Sequence, residues 1–238
     1  MASLARHSVA SFARRRLIFE LADEIVALRQ TSPTLVAIEG RSAAGKTSMA
    51  DELAVEVHSR GRPILRSSID DFHTPGHKYR SMRREYTPES YIASGYDYAG
   101  FCRSMIDPLQ ERGDRLCKSA RWNSGTDTAI VDEPLRQADD VIAIVDGALL
   151  FHPLLEHAWH FSIWLEIDWH TMIERAARRD IAWVESEEEV RRKYRELWRP
   201  LHERYEATLH PRERCNVEID NRDVAAPVLI RYSPASAT

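Results

Sequence analysis

Apolar positions along the chain follow two alternating rhythms. Short stretches containing Val, Ile or Leu occur at 35–38, 64–69, 141–145, 161–167, 215–221 and 228–230, of which 35–38, 141–145 and 228–230 are apolar throughout. Runs without polar alternation fit strands covered on both faces, as in a parallel sheet. Between them, apolar residues recur three or four apart: Leu17, Leu21, Ile25 and Leu28; Met49, Leu53, Ala54 and Val57; Phe101, Met105, Ile106 and Leu109; Met172, Ile173 and Ala176; Val190, Tyr194, Leu197 and Trp198. That spacing places one apolar stripe on each helix. Strands alternating with helices predict a three-layer α/β sandwich, a mostly parallel five-stranded sheet with helices on both faces. The run at 228–230 is expected as an edge strand.

Breaks in the rhythm set the finer organisation of one domain over 1–238. A helix over 10–29 ends at Thr31-Ser32-Pro33, and Gly61-Arg62-Pro63 turns the chain into the second strand. Pro75, Gly76, Pro88 and Gly95 interrupt 73–96, which is expected to be a loop on the substrate side. It carries Tyr79, Arg80, Arg83, Arg84, Tyr86 and Tyr91, side chains suited to stacking and to holding phosphate. Extended segments or a small hairpin are expected over 115–133, and a lid over 181–190. The acids at 185–189 suit the start of a helix that runs to Pro200 and continues, after a kink, to Leu209.

Candidate chemistry enters between the first strand and the first strongly apolar helix after it. Gly40-Arg41-Ser42-Ala43-Ala44-Gly45-Lys46-Thr47 fits G-x-x-x-x-G-K-[ST], a phosphate-binding loop, and Ser48 follows it. The glycines allow backbone conformations closed to other residues and a close approach of phosphate to the main chain. Loop N–H groups and the helix start then face the anion. Lys46 would reach the β- and γ-phosphates of ATP, and the Thr47 hydroxyl would ligate Mg²⁺. The second strand runs into Asp70-Asp71, and Val141–Val145 into Asp146-Gly147. Both sites lie where strands of an open α/β sheet present ligands. Asp97 suits either a site carboxylate or a helix N-cap. Asp71 suits a Mg²⁺ contact through water or a turn cap. Arg175, Arg178 and Arg179 cluster at the end of a helix, where arginine clamps a transferring phosphoryl group or lines a basic face.

Composition narrows the partners. With 238 residues, 43% apolar and 29% charged, the chain has the make-up of an ordinary globular protein. A net charge of −4 argues against a nucleic acid polymer or a membrane surface as main partner. Cys102, Cys117 and Cys215 form neither a disulfide framework nor a zinc pattern, which suits a cytoplasmic setting. Arginines and the absence of acids in the first nineteen residues resemble a transit peptide. The helical stripe continuing into acidic residues favours a packed amphipathic helix, which is also a candidate surface for a homo-oligomer.

Several segments together resemble the uridine kinase-like family of P-loop nucleoside kinases, from Leu35 to about Ile230. Besides the phosphate loop these are SIDDFH at 68–73, GYDY at 95–98, VDGALLF at 145–151, IERAARRD at 173–180 and CNVEIDN at 215–221. The resemblance implies ATP- and Mg²⁺-dependent phosphoryl transfer to the 5′-hydroxyl of a nucleoside, uridine or cytidine first. Other acceptors in reach are pantothenate, a sugar phosphate or nicotinamide riboside, and a non-catalytic nucleotide switch is the reading from another class. By the same resemblance Asp70 takes the hydroxyl proton and Asp97, with Tyr96 beside it, holds the ribose. Asp146 is the magnesium-associated acid, Arg179 contacts the transferring phosphoryl group, and Arg175 lies toward the substrate. The sequence departs from the family at 181–185, which reads IAWVE, and between Leu116 and Asp132.

Overall fold

The computed structural model describes residues 11–123, 125–181 and 186–235. Residue 10, the lid residues 182–185 and the side chain of Tyr79 lie outside the described residues. Helix α1 (Phe12–Ala27) is capped by Ser11, whose hydroxyl accepts the Arg14 N–H. Its expected stripe is buried at Leu17, Leu21 and Ile25, joined by Ile18 and Ala22. These residues share a core with Met49, Leu53 and Val57 of α2 (Lys46–Ser59), so the N-terminal helix packs on the sheet's helical layer.

Strands β1 (Thr34–Gly40) and β2 (Ile64–Ser68) are followed by α3 (His77–Met82), α4 (Pro88–Ser94) and α5 (Tyr98–Phe101). The 73–96 segment is therefore not the irregular loop expected from its prolines. Thr87 caps α4 in a reciprocal box with Ser90, and Pro88 occupies the first turn, where its missing N–H costs nothing. A proline read as an interruption is here a helix start. After α5 a π turn (Cys102–Ile106) and a 3-10 turn (Asp107–Leu109) carry Met105, Ile106 and Leu109 into the core, as the spacing predicts. Short ribbons then pair β3 (Leu116–Cys117) with β6 (Leu135–Arg136) and β4 (Trp122–Asn123) with β5 (Thr128–Ala129).

The remaining elements are β7 (Ile142–Asp146), β8 (Phe161–Glu166), α6 (Trp169–Asp180), α7 (Glu187–Lys193), α8 (Arg199–Leu209), α9 (Pro211–Arg214), β9 (Val217–Asp220) and β10 (Val228–Tyr232). The main sheet runs β10-β9-β8-β1-β7-β2. Five strands are parallel, as predicted, and the edge segment joins as a sixth, antiparallel to β9. Along β1 alternate residues serve opposite layers: Val36 and Ile38 face one core, Leu35 and Ala37 the other. Because β7 lies between β1 and β2 while β8 flanks β1 on the other side, the winding reverses at β1. A crevice opens there at the carboxyl ends of the strands. Ile38 and Ser68 both pair with Asp146, which brings the ends of β1, β2 and β7 to one edge.

Candidate active site

The phosphate loop leaves β1 in a shape that only its own residues fit. Gly40 and Gly45 have φ of +149° and +92°. A Cβ on Gly40 would stand 2.6 Å from the Leu165 carbonyl oxygen, and one on Gly45 2.9 Å from Nδ2 of Asn221. Asn221 donates that amide to the Ala44 carbonyl at 2.6 Å, bracing the loop from the end of β9. Arg41 is buried; it forks onto Glu206 at 2.8 and 2.7 Å, reaches Glu166 at 2.9 Å and lies 3.8 Å over the Trp169 ring. It is thus committed to holding the loop on α8. Ser42 directs both its N–H and its hydroxyl to Nε2 of His202, at 3.0 and 3.1 Å. Ser42, Ala43, Gly45, Lys46, Thr47 and Ser48 line the crevice, while Ala44 is buried beneath it.

Lys46 donates to the carbonyls of Gly40 at 3.0 Å and Arg41 at 2.8 Å, a position folded back over the loop. Burial lowers its pKa, opposed by the fields of Glu39, Asp70 and Asp146. The Thr47 hydroxyl donates to Oδ2 of Asp146 at 2.7 Å, and Arg66 holds Oδ1 at 2.9 Å. A hydroxyl and a carboxylate side by side are hard oxygen donors. They fit Mg²⁺, which takes one or two protein oxygens and completes its shell with phosphates and water.

Asp70 lines the same cleft, of about 1290 Å³. It sits on the 3-10 turn Ile69–Phe72, which Ser68 caps. Tyr96 O–H donates to Asp70 Oδ1 at 2.8 Å. Nδ1 of His73 is 2.6 Å from the Asp70 carbonyl and must donate to it, since a carbonyl only accepts. Burial lowers the His73 pKa, so the ring is neutral and its Nε2 accepts from Tyr91 O–H at 3.0 Å. Asp71 does not line the cleft; burial, then Asp70 and Asp146, push its carboxyl up to about 6.

Three of the residues singled out by sequence have other placements or partners. Asp97 caps α5, accepting the Gly100 N–H at 2.8 Å and an Arg121 N–H at 3.3 Å, and is not among the cleft-lining residues. Arg175 also lines the cleft, and it donates to the carbonyls of Asn221 and Arg222 at 2.9 and 2.7 Å. Arg179 lines the cleft but donates to Asp180 at 2.6 Å and to the Tyr194 hydroxyl oxygen at 3.0 Å.

Glu39 escaped the sequence reading. It is fully buried under the loop. Oε1 accepts the N–H groups of Gly40 at 3.0 Å and Leu149 at 3.2 Å, while Oε2 accepts from Leu150 N–H and from Tyr205 O–H at 3.0 Å. One carboxylate thereby ties the root of the phosphate loop to the turn behind Asp146. The signal was there: Glu39 is the single charge in the run Leu35 to Gly40. Lys193, Ser81 and Trp198, which line the cleft with His77 and Tyr86, were likewise not singled out as ligand contacts.

No family model and no curated protein matches the chain. Solved structures do. A protein of Bacillus stearothermophilus provisionally described as a uridine kinase is 16% identical, with a TM-score of 0.66 over 86% of this chain and 97% of that one. A protein of Silicibacter sp. TM1040 provisionally described as a fructose transport system kinase is 20% identical, with a TM-score of 0.64 over 80% and 94%. The YGR205w protein is 12% identical, with a TM-score of 0.65 over 94% and 100%. At these identities the likeness is one of architecture: the chain has the fold of the uridine kinase-like P-loop kinases.

Proposed function

We propose that the chain is a kinase that moves the γ-phosphoryl group of ATP, with Mg²⁺, onto the hydroxyl of a small acceptor. What supports this most directly is one arrangement: Lys46, the Thr47–Asp146 pair and the Asp70 carboxylate all line one cleft. On ATP binding, loop N–H groups hold the phosphates and Lys46 exchanges its carbonyl partners for phosphate oxygens. Thr47 and Asp146 would hold Mg²⁺, which supplies neutralisation of the phosphate charge. The acceptor oxygen forms a bond to γ-phosphorus as the bond to the bridging oxygen of ADP breaks. Asp70 takes the hydroxyl proton, oriented by Tyr96. A loose transition state asks mainly for alignment and charge stabilisation, which Lys46 and Arg179 contribute once Arg179 turns from Asp180.

The first acceptor, by resemblance, is the 5′-hydroxyl of uridine or cytidine, with Tyr91, Tyr86 and Trp198 as surfaces for a base. One observation favours a second reading with another small hydroxyl acceptor: the residue matched to ribose binding, Asp97, is spent on a helix cap and on Arg121. ADP release measured over nucleosides, pantothenate, sugar phosphates and nicotinamide riboside tests the proposal. Release with at least one acceptor is expected. ATP binding without release for any of them overturns the kinase reading in favour of a nucleotide switch.

A further inference from the structure

Helix α7 and the strip before it are rich in charge, and nearly all of it is matched. Arg191 pairs with Glu174 and Glu187, Arg192 with Glu189, and Arg195 with Glu188. Arg84, between α3 and α4, also takes Glu189, and Arg179 takes Asp180. Lys193 is the exception. Its ammonium donates to the Ser81 hydroxyl at 2.6 Å and lies 5.9 Å from the Trp198 ring, and no carboxylate pairs with it among the described residues. The two acids whose fields reach it, Asp180 and Glu189, are those already held by arginines. Burial accordingly lowers its pKa.

Lys193 is half-buried, and for an ammonium whose one hydrogen-bond partner is a neutral hydroxyl the desolvation penalty is not repaid by a counter-charge. In a folded core such a group would be replaced or paired. Here it lines the same cleft as Asp70. His77, also lining that cleft, does not compete: burial, then His73, Lys193 and Arg80, hold its pKa at about 3, so the ring is neutral. We propose that Lys193, with Ser81 beside it, binds an anionic substituent, a carboxylate or a phosphate, on the acceptor whose hydroxyl faces Asp70. This rests on the kinase reading and specifies its acceptor.

The test uses acceptors matched in pairs: pantothenate with pantothenol, ribulose 5-phosphate with ribulose, and uridine 3′-monophosphate with uridine. Each is measured with the full chain by ADP release, and by thermal shift with Mg²⁺ and a non-hydrolysable ATP analogue. The charged member of at least one pair should bind or react about tenfold better or more, the scale of one charged hydrogen bond. Lys193→Met should erase that preference, through KM more than kcat, and Lys193→Arg should restore most of it. Lys193→Gln serves if the Met variant does not fold. Equal or better use of the neutral members overturns the proposal, as does a charge preference surviving in the Met variant. If ADP release fails throughout, the kinase reading falls, and inorganic phosphate with the analogue bound still reads the site. Stabilisation of the wild type but not of Lys193→Met is then expected, and equal shifts in both overturn the site.

Discussion

Replacing Glu39 by glutamine isolates one buried charge. Burial raises its pKa from the ordinary 4.5 to about 7, against the field of Lys46 and the hydrogen bonds it accepts. That displacement corresponds to about 3 kcal/mol. Since the folded chain holds this proton more tightly than the unfolded one, its contribution to stability is fully present below pH 4.5. It is lost as pH rises through about 7. Glutamine has no such dependence. Urea unfolding of both proteins from pH 4.5 to 8 should therefore show the wild-type stability, minus that of Glu39→Gln, falling by about 3 kcal/mol with rising pH. Taking the difference cancels the other titrating groups. A difference that is flat, or that grows with pH, would refute the claim that desolvation outweighs the four hydrogen bonds.

Gly40→Ala should fold poorly or lose ATP binding, because its Cβ would meet the Leu165 carbonyl at 2.6 Å. Strain and overlap together cost about 2–6 kcal/mol; calorimetry and an ATP-analogue titration would check it, and near-wild-type values in both would contradict it. Tyr96→Phe removes the one side-chain hydrogen bond that the Asp70 carboxylate accepts among the described residues. About a tenfold fall in kcat/KM or more is expected, with the affinity for the ATP analogue retained, on the scale of about 1.5 kcal/mol for a hydrogen bond to a charged group.

How much of this could be read beforehand differs between local and non-local features. The phosphate loop and the five parallel strands were legible because each rests on contiguous residues: an apolar run, a spaced glycine pair, a lysine. The helices inside 73–96 were not, since Pro88 marks a break or a beginning equally until the Thr87–Ser90 box is seen. The direction of β10 depends on a short return from β9, which periodicity does not encode. Asp70 was separable from Asp71 by motif register, and the cleft contains Asp70 alone of the two. Asp97 carried both readings in sequence, and the cap at Gly100 is the interaction observed. Lys193 looked like one more cation in a charged helix. Only the pairing of the arginines around it with acids exposed it, and one of those pairs, Arg84 with Glu189, joins segments about a hundred residues apart.

The central claim is that Asp70 receives the proton of an acceptor hydroxyl attacking the γ-phosphate held by Lys46. Rapid-quench measurement of phosphoryl transfer by Asp70→Asn, alongside titration of an ATP analogue, tests it most directly. The account predicts transfer slowed about 100-fold or more with nucleotide affinity intact, whereas transfer at the wild-type rate would contradict it.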